Sequence, residues 1–499
     1  MIKKLNIKIS ILIISIIILS SYFFLSLIIG NDKFNNLKLI LNDEKKQLIK
    51  KYIFPYKWIS QQEETISQLN KIISQPQQEE TISQLKDKIS HQEKIISQHL
   101  QLGDNLDVLS LEFDKKTKGS DIKTNEVTIK LLNNITLKKY LLTSGFYAGI
   151  NNRYPGSGYI DFHGDNIFIL SSRGILAFNK NLQDGENFKQ IENNIDKFIG
   201  LKQLKHYEIK TPNLLWFSLK DLLIFNDKIF ISYTEEIKKS CWNTGVIYAD
   251  INYEKIEFKK LFSPKECVEF DAENRTKFDT EFVGTQSGGR IISFDDNHIL
   301  LSIGDYRRRY LAQDKQSING KIIKINIDNS NYEIISMGHR NPQGLYFDKE
   351  KNFILETEHG PKGGDEINLI EVSKISKDKI QNYGWPISSA GKHYVENEKL
   401  YEKYPLYNSH SEHGFIEPLK SFVPSIAISE IVKIGQNKYV FGSMKDKSIY
   451  FFELNKQKQI INLGKVEVNE RVRDLRFNNN QLYLFMESTA SIGVINTQL

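Results

Sequence analysis

Short apolar runs, broken by Asn, Asp, Gly and Lys, recur from about residue 127 to the C-terminus. They predict an all-β domain of the β-propeller class. Three observations carry this. Runs such as NIFILSS, KIFISYT, HILLSIGD, KIIKINI, NFILETE, SIYFFEL and QLYLFME are strand-length and rich in Ile, Phe, Tyr and Val. Long amphipathic helical periods are scarce across the same stretch. The segment 127–499 is too long for one sandwich and suits several four-stranded blades. The spacing of the runs leaves the blade number open.

The chain divides at about residues 30 and 126. The basic tip MIKKLNIK precedes an uncharged apolar run over residues 9–29. A run of that length predicts a membrane-crossing signal anchor, with Lys3, Lys4 and Lys8 inside and everything after Gly30 outside. Residues 31–126 predict a helical stalk. The segment QQEETISQL occurs at 61–69 and again at 77–85, and Ile59, Ile66 and Ile73, then Ile82, Ile89 and Ile96, follow heptads. Pro76 breaks any helix joining the two copies. Such a stalk either forms a short coiled coil that oligomerises the protein or acts as a solvated tether. The net charge of +6 is spread over the whole chain, so nucleic acid is not an expected partner. The only cysteines, Cys241 and Cys267, lack CxxC spacing. In an exported domain they form one disulfide or remain two buried thiols.

Four stretches of the β region carry chemistry. The first is QSGGRIISFDDNHILLSIGDY, with Arg290 and Asp305. The second is GHRNPQGLYFD, with Arg340, Asn341 and Gln343. The third is TEHGPKGGDEINLI, followed by NYGWP. The fourth joins GSMKDKS, with Lys445, to NERVRDLRF, with Arg471 and Arg473. A propeller brings loops from separate segments to one channel mouth. Arg340, Lys445, Arg471 and Arg473 gathered there would suit a small, multiply anionic ligand. The Gly-Pro turn frees carbonyl oxygens, and hard oxygens beside carboxylates suit calcium.

GHRNPQGL, EHGPKGGDEINLI and NYGWP, in that order, resemble the soluble quinoprotein glucose and sorbosone dehydrogenases, which include aldose sugar dehydrogenases. The resemblance is good from about Gly284 to the C-terminus and loose from Val127 to Phe282. It implies a six-bladed propeller holding pyrroloquinoline quinone (PQQ) and Ca2+, with a sugar oxidised at C1 and hydride passed to the quinone. It places Arg340 and Asn341 at the quinone carbonyls, and Lys445, Arg471 and Arg473 at the cofactor's carboxylates. The carbonyls of Gly360 and Pro361 would ligate the cofactor's calcium, and Glu366 and Tyr383 would hold a second, structural calcium. Asp305 would orient the catalytic base. It also implies a bacterial inner membrane, with the C-terminal domain in the periplasm.

The chain departs from the family where the base is expected. Relatives carry a histidine just before the Gly-Arg pair; here the chain reads Thr285-Gln286-Ser287-Gly288-Gly289-Arg290. Counting back from Arg290 puts Gln286 at that place, and matching the letters QSG puts Thr285 there. Neither side chain is a general base near neutral pH. His359 or Asp305 is then the expected substitute. The early GLLG-type motif is also missing, with residues 213–234 its counterpart. Two functions follow: a quinoprotein dehydrogenase with an altered base, or a propeller that binds a ligand or partner without turnover.

Overall fold

The structure, a computed structural model, describes residues 121–496 except 132–134, 143–156, 173, 181, 200–217, 270–281, 377 and 396. The expected anchor (9–29) and the stalk repeat lie outside the described residues. Among the described residues no helix is long and apolar enough to cross a membrane.

Six sheets of four or five strands are arranged in a ring. Their innermost strands are Gly158–His163, Leu219–Phe225, Gly288–Asp295, Pro342–Asp348, Ile428–Lys433 and Val472–Asn478, numbered here blades 1 to 6. Each inner strand touches the next, and blade 6 touches blade 1, so the ring closes. Blade 6 is built from both ends of the domain: Thr136–Leu142 pairs with the C-terminal strand Ser491–Asn496. That pairing removes the open edges a fan of sheets would leave.

Side chains alternate faces along a strand, and here both faces are covered. In Gln481–Met486, Leu482, Leu484 and Met486 pack toward one neighbouring blade. Tyr483 and Phe485 pack toward the other. This explains why the runs read as continuously apolar rather than alternating. Two-residue hairpins at Asn226-Asp227 and Asn479-Asn480 hold φ between 48° and 58°. Asn and Asp tolerate that left-handed geometry, which matches the twist of the strands they join. In blade 2, Cys241 and Cys267 are disulfide-bonded across 26 positions of sequence.

The channel below the mouth is filled by charge. Arg290 Nη1 lies 2.8 Å from Asp221, 2.8 Å from Asp474 and 3.1 Å from Glu430. Arg476 pairs with Asp161, Asp474 and Glu430 at 3.0 to 3.3 Å. The same carboxylates accept backbone N–H groups from the adjacent blade. Asp474 takes Ile160 N, Asp161 takes Ile224 N, Asp221 takes Ile291 N and Glu430 takes Leu345 N. Asp221, Glu430 and Asp474 lie close enough to hold a metal ion. The guanidinium of Arg290 already occupies that centre.

Four carboxylates against two guanidiniums leave the ring short of positive charge. Burial pushes Glu430 up to about 7 and Asp161 to about 6, against the pull of the two arginines. These carboxyls bind protons in the folded state at pH values where the unfolded chain has released them. Their contribution is therefore complete at low pH and is lost as pH rises through about 6 to 7. The melting temperature should fall between about pH 5 and about pH 8, and Glu430→Gln should flatten that fall. Replacing Cys241 with Ser should cost about 3 to 4 kcal/mol in reversible unfolding, from the loop the bond closes.

Candidate cofactor and active site

A cavity of about 550 Å³ opens at the mouth of the channel. Its wall takes Ser157, Tyr159 and Ser172 from blade 1, and Ser218 and Lys220 from blade 2. Blade 3 adds Thr285, Gln286 and Arg290, and blade 4 adds Arg340, Asn341, Gln343, His359, Gly360 and Pro361. Lys445, Arg471 and Arg473 complete it from blades 5 and 6. Five of the six inner strands slip register at this end, for example between Val472 and Asp474 and between Leu219 and Asp221. A bulge re-aims side chains. Consecutive residues then serve different levels: Arg473 and Lys220 line the cavity, while Asp474 and Asp221 join the charged ring below. Gly289, at φ +111°, is required by the bulge of blade 3. A Cβ there would lie 2.3 Å from Lys220 Cβ.

The four cations expected at the cofactor do converge on this cavity. Arg340 is held on three sides. Its Nη1 donates to His359 O at 2.8 Å, its guanidinium lies over the Trp385 ring, and its Nη2 donates to Gln286 Oε1 at 3.0 Å. Arg471 and Arg473 are tied by their Nε atoms to the two oxygens of one buried carboxylate, Glu487, at 2.6 and 2.8 Å. Burial opposes ionisation of Glu487, but Arg473 and Arg471 together hold it below the usual range. Lys445 stands exposed at the rim.

Gln286, one of the two residues expected at the base position, bridges Asp305 and Arg340. In the amide orientation that satisfies both neighbours, its Nε2 donates to Asp305 Oδ1 at 3.1 Å while its Oε1 accepts from Arg340. Thr285 also borders the cavity but has no such contact with Asp305. Asp305 itself is fully buried and lies outside the cavity wall. It accepts from Trp385 Nε1 at 2.8 Å and from Arg307 N at 2.7 Å. Burial raises its pKa, with Arg340 acting against the rise. Asp305 therefore meets the cavity through Gln286 and Arg340 rather than lining it.

His359 is set by its neighbour Asn341. Asn341 Oδ1 accepts from Gly288 N and Gln343 Nε2, both at 3.1 Å, which fixes its amide. Asn341 Nδ2 then faces His359 Nδ1 at 3.5 Å as a donor, leaving the ring proton on Nε2. Burial lowers the His359 pKa, with Asp365 acting against the fall. With that tautomer its Nε2–H is buried and has no partner among the described residues.

The turn at Gly360-Pro361 is held by Asp365. Its two oxygens accept Gly360 N at 3.2 Å and Ile428 N of blade 5 at 3.3 Å. A Cβ on Gly360 would sit 2.0 Å from Gly364 O, so only glycine allows this close a turn. Beneath it a much smaller cavity is lined by Glu358, Glu366, Ser388 and Ser389. Burial and the charge of Glu358 raise the Glu366 pKa well above its ordinary value. Ser388 Oγ has no partner. Tyr383 is buried beside this region. Its hydroxyl donates to Leu369 O at 2.6 Å and its ring stacks on His339. Tyr383 is not among the residues that line the small cavity.

The family model for glucose and sorbosone dehydrogenases matches residues 224–494, more than half of the chain. The chain belongs to the glucose/sorbosone dehydrogenase family. Within the family it is 31% identical over 244 residues to an uncharacterised protein of Synechocystis sp. (42% of this chain, 56% of that protein). It is 27% identical over 232 residues to the aldose sugar dehydrogenase YliI of Escherichia coli (42% and 59%). It is 33% identical over 128 residues to quinoprotein glucose dehydrogenase B of Acinetobacter calcoaceticus (20% and 25%). The chain thus spans less than two thirds of each of these relatives. Among solved structures, a glucose dehydrogenase superposes with a TM-score of 0.52 at 20% identity, covering 68% of this chain and 96% of that one. The soluble aldose sugar dehydrogenase of E. coli gives 0.50 at 20%, covering 68% and 94%. Both share the propeller fold.

Lys220, Glu487, and the part played by Trp385 had no signal in the sequence. Lys220 and the hydroxyls of blades 1 and 2 read as ordinary strand surface, and Glu487 as a strand end. Trp385 was visible within NYGWP, but its bond to Asp305 was not. Because Glu487 carries two guanidiniums, Glu487→Gln should lower stability by about 3 kcal/mol in urea unfolding. Glu467→Gln, which alters an exposed carboxylate in a surface pair with Lys465, is the control and should change stability little.

Proposed function

We propose that the mouth cavity binds PQQ with calcium, and that the protein is a quinoprotein that oxidises a sugar at C1. The observation that carries this is the convergence of Arg340, Lys445, Arg471 and Arg473 with Gly360 and Pro361 on one cavity. Glu487 offsets one charge of the Arg471–Arg473 pair, and the remaining positive charge on the cavity wall favours an anionic ligand. The unpartnered His359 Nε2–H adds a donor aimed at no protein group. A planar tricarboxylate fits that set, and the Gly360 and Pro361 carbonyls offer the hard oxygens a calcium ion takes. Bound there, PQQ with its calcium would supply the hydride acceptor.

The chain's own residues have defined tasks in this reading. Arg340 and Asn341 orient the quinone edge. Lys445, Arg471 and Arg473 hold the carboxylates, with Glu487 fixing the last two. Asp305 and Trp385 hold Gln286 and Arg340 in place. Glu366 and the Tyr383 carbonyl form a second calcium site under the turn. The N-terminal anchor and stalk place this domain outside a bacterial inner membrane, in the periplasm, and a coiled coil in the stalk would pair copies.

A second reading is favoured by one observation: no histidine stands in the run from Thr285 to Arg290. In that reading the cofactor binds without turnover, and the propeller serves as a binding module.

The two separate in one experiment on the full-length, detergent-solubilised protein. PQQ and Ca2+ are titrated by absorbance, and aldose-dependent dye reduction is followed. Saturable, calcium-dependent PQQ binding is expected, weakened about tenfold or more by Arg340→Gln. Failure to bind PQQ contradicts the proposal. Binding without dye reduction selects the second reading. Gln286→His should then raise turnover by about 100-fold, the worth of a positioned base.

A further inference from the structure

The cavity opens onto a rim assembled from four short segments. Lys362 and Lys392 exchange backbone hydrogen bonds at 2.9 and 3.0 Å, joining the Gly-Pro turn to the loop after NYGWP. Gly364 N donates to Phe422 O at 2.9 Å, and a Cβ on Gly363 would touch Val423. Lys445 N donates to Ile426 O at 3.0 Å. These bonds make residues 361–364, 391–395, 422–426 and 444–447 one continuous strip beside the opening.

The strip has an unusual surface. Val423 is 66% exposed, Tyr394 55% and Val395 43%, and Tyr394 also lines the cavity. Lys362, Lys392, Lys445 and Lys447 are exposed around them. None of the four lysines is ion-paired among the described residues. What sets the strip apart is the placing of four such lysines around exposed apolar side chains at the cavity mouth; some surface lysines elsewhere pair with carboxylates, as in Lys197–Glu257 and Lys255–Glu192, and others do not. The one partly exposed acid in the strip, Asp446, is taken up by the Tyr450 hydroxyl and Lys465.

We propose that this strip is the docking surface for an acidic electron-transfer protein, one with an apolar contact face flanked by carboxylates. This rests on the quinoprotein reading. Oxidising a sugar C1 to the lactone leaves two electrons and two protons at the mouth. A one-electron carrier takes the electrons in two encounters, and the protons pass to solvent. A protein carrier reaches the mouth only by sitting on its rim. An apolar centre with unpaired lysines gives a small, salt-sensitive complex of the kind electron transfer uses.

The test uses two probes of opposite charge: plant plastocyanin, an acidic blue-copper protein with an apolar face, and horse-heart cytochrome c, which is basic. The full-length protein is compared with Lys362→Glu/Lys392→Glu/Lys447→Glu and with the milder set of glutamines. Dye reduction and plastocyanin reduction are measured at low and high salt, and plastocyanin binding is measured separately by NMR titration. The triple glutamate variant should keep its dye reduction and lose about tenfold in both plastocyanin rate and affinity. The glutamine set should fall between, and wild-type rates should drop steeply with salt. Equal plastocyanin affinity in wild type and triple variant overturns the proposal, as does a preference for cytochrome c. Lysine-dependent binding to anionic lipid vesicles without plastocyanin binding overturns it too. Absent dye reduction counts against the quinoprotein reading alone, because plastocyanin affinity still decides the docking surface.

Discussion

Arg290 is the contact on which the rest of the domain depends. Its Nη1 gathers carboxylates from blades 2, 5 and 6. Its other donors reach Gln343 O of blade 4, and Arg473 O of blade 6 at 2.8 Å. One side chain of blade 3 therefore sets the spacing of four other blades. A buried cation this well surrounded costs much to desolvate, and it is tolerable because every donor has an acceptor. Closing a propeller on an apolar centre would stabilise it as well. A charged centre adds direction, because each carboxylate also captures a backbone N–H of a named neighbour and so fixes which blade follows which.

The mouth cavity inherits its geometry from that ring. Gln343 and Arg473, whose carbonyls Arg290 holds, project side chains into the cavity. The bulge that lets Arg290 reach the centre also presents Gln286 to Asp305. Asp305, Trp385, Arg340 and Gln286 then form a closed set, in which the Trp385 ring carries a guanidinium and its N–H carries a carboxylate. Glu487 plays the same part for Arg471 and Arg473. The cations of the cavity wall are thus preorganised by carboxylates set behind them, which limits repulsion without filling the cavity.

Much of this was legible in the sequence, and the rest was not for identifiable reasons. Strands such as Phe353–Glu358 and Gln481–Met486 stood out because burial on both faces makes them continuously apolar. Six blades followed from the family motifs alone, since the closure of Thr136–Leu142 onto Ser491–Asn496 joins the two ends of the domain and leaves no local pattern. GHRN, EHGP and the arginine pair near the C-terminus pointed to one mouth, and the cavity unites them. The choice between Thr285 and Gln286 could not be made by counting, because the extra glycine is absorbed in a bulge. In the structure Gln286 is the one of the two that reaches Asp305. His359 read as a candidate base from its residue type. Its neighbour Asn341 makes it a donor, and no sequence pattern records a tautomer.

The central claim is that these cations enclose a planar, polyanionic quinone. A crystal structure of the protein grown with PQQ and calcium tests it most directly. The account predicts tricyclic density within reach of Arg340, Lys445, Arg471 and Arg473, with an ion against the Gly360 and Pro361 carbonyls. Density for PQQ at any other place on the propeller, or an empty mouth at saturating cofactor, would contradict it.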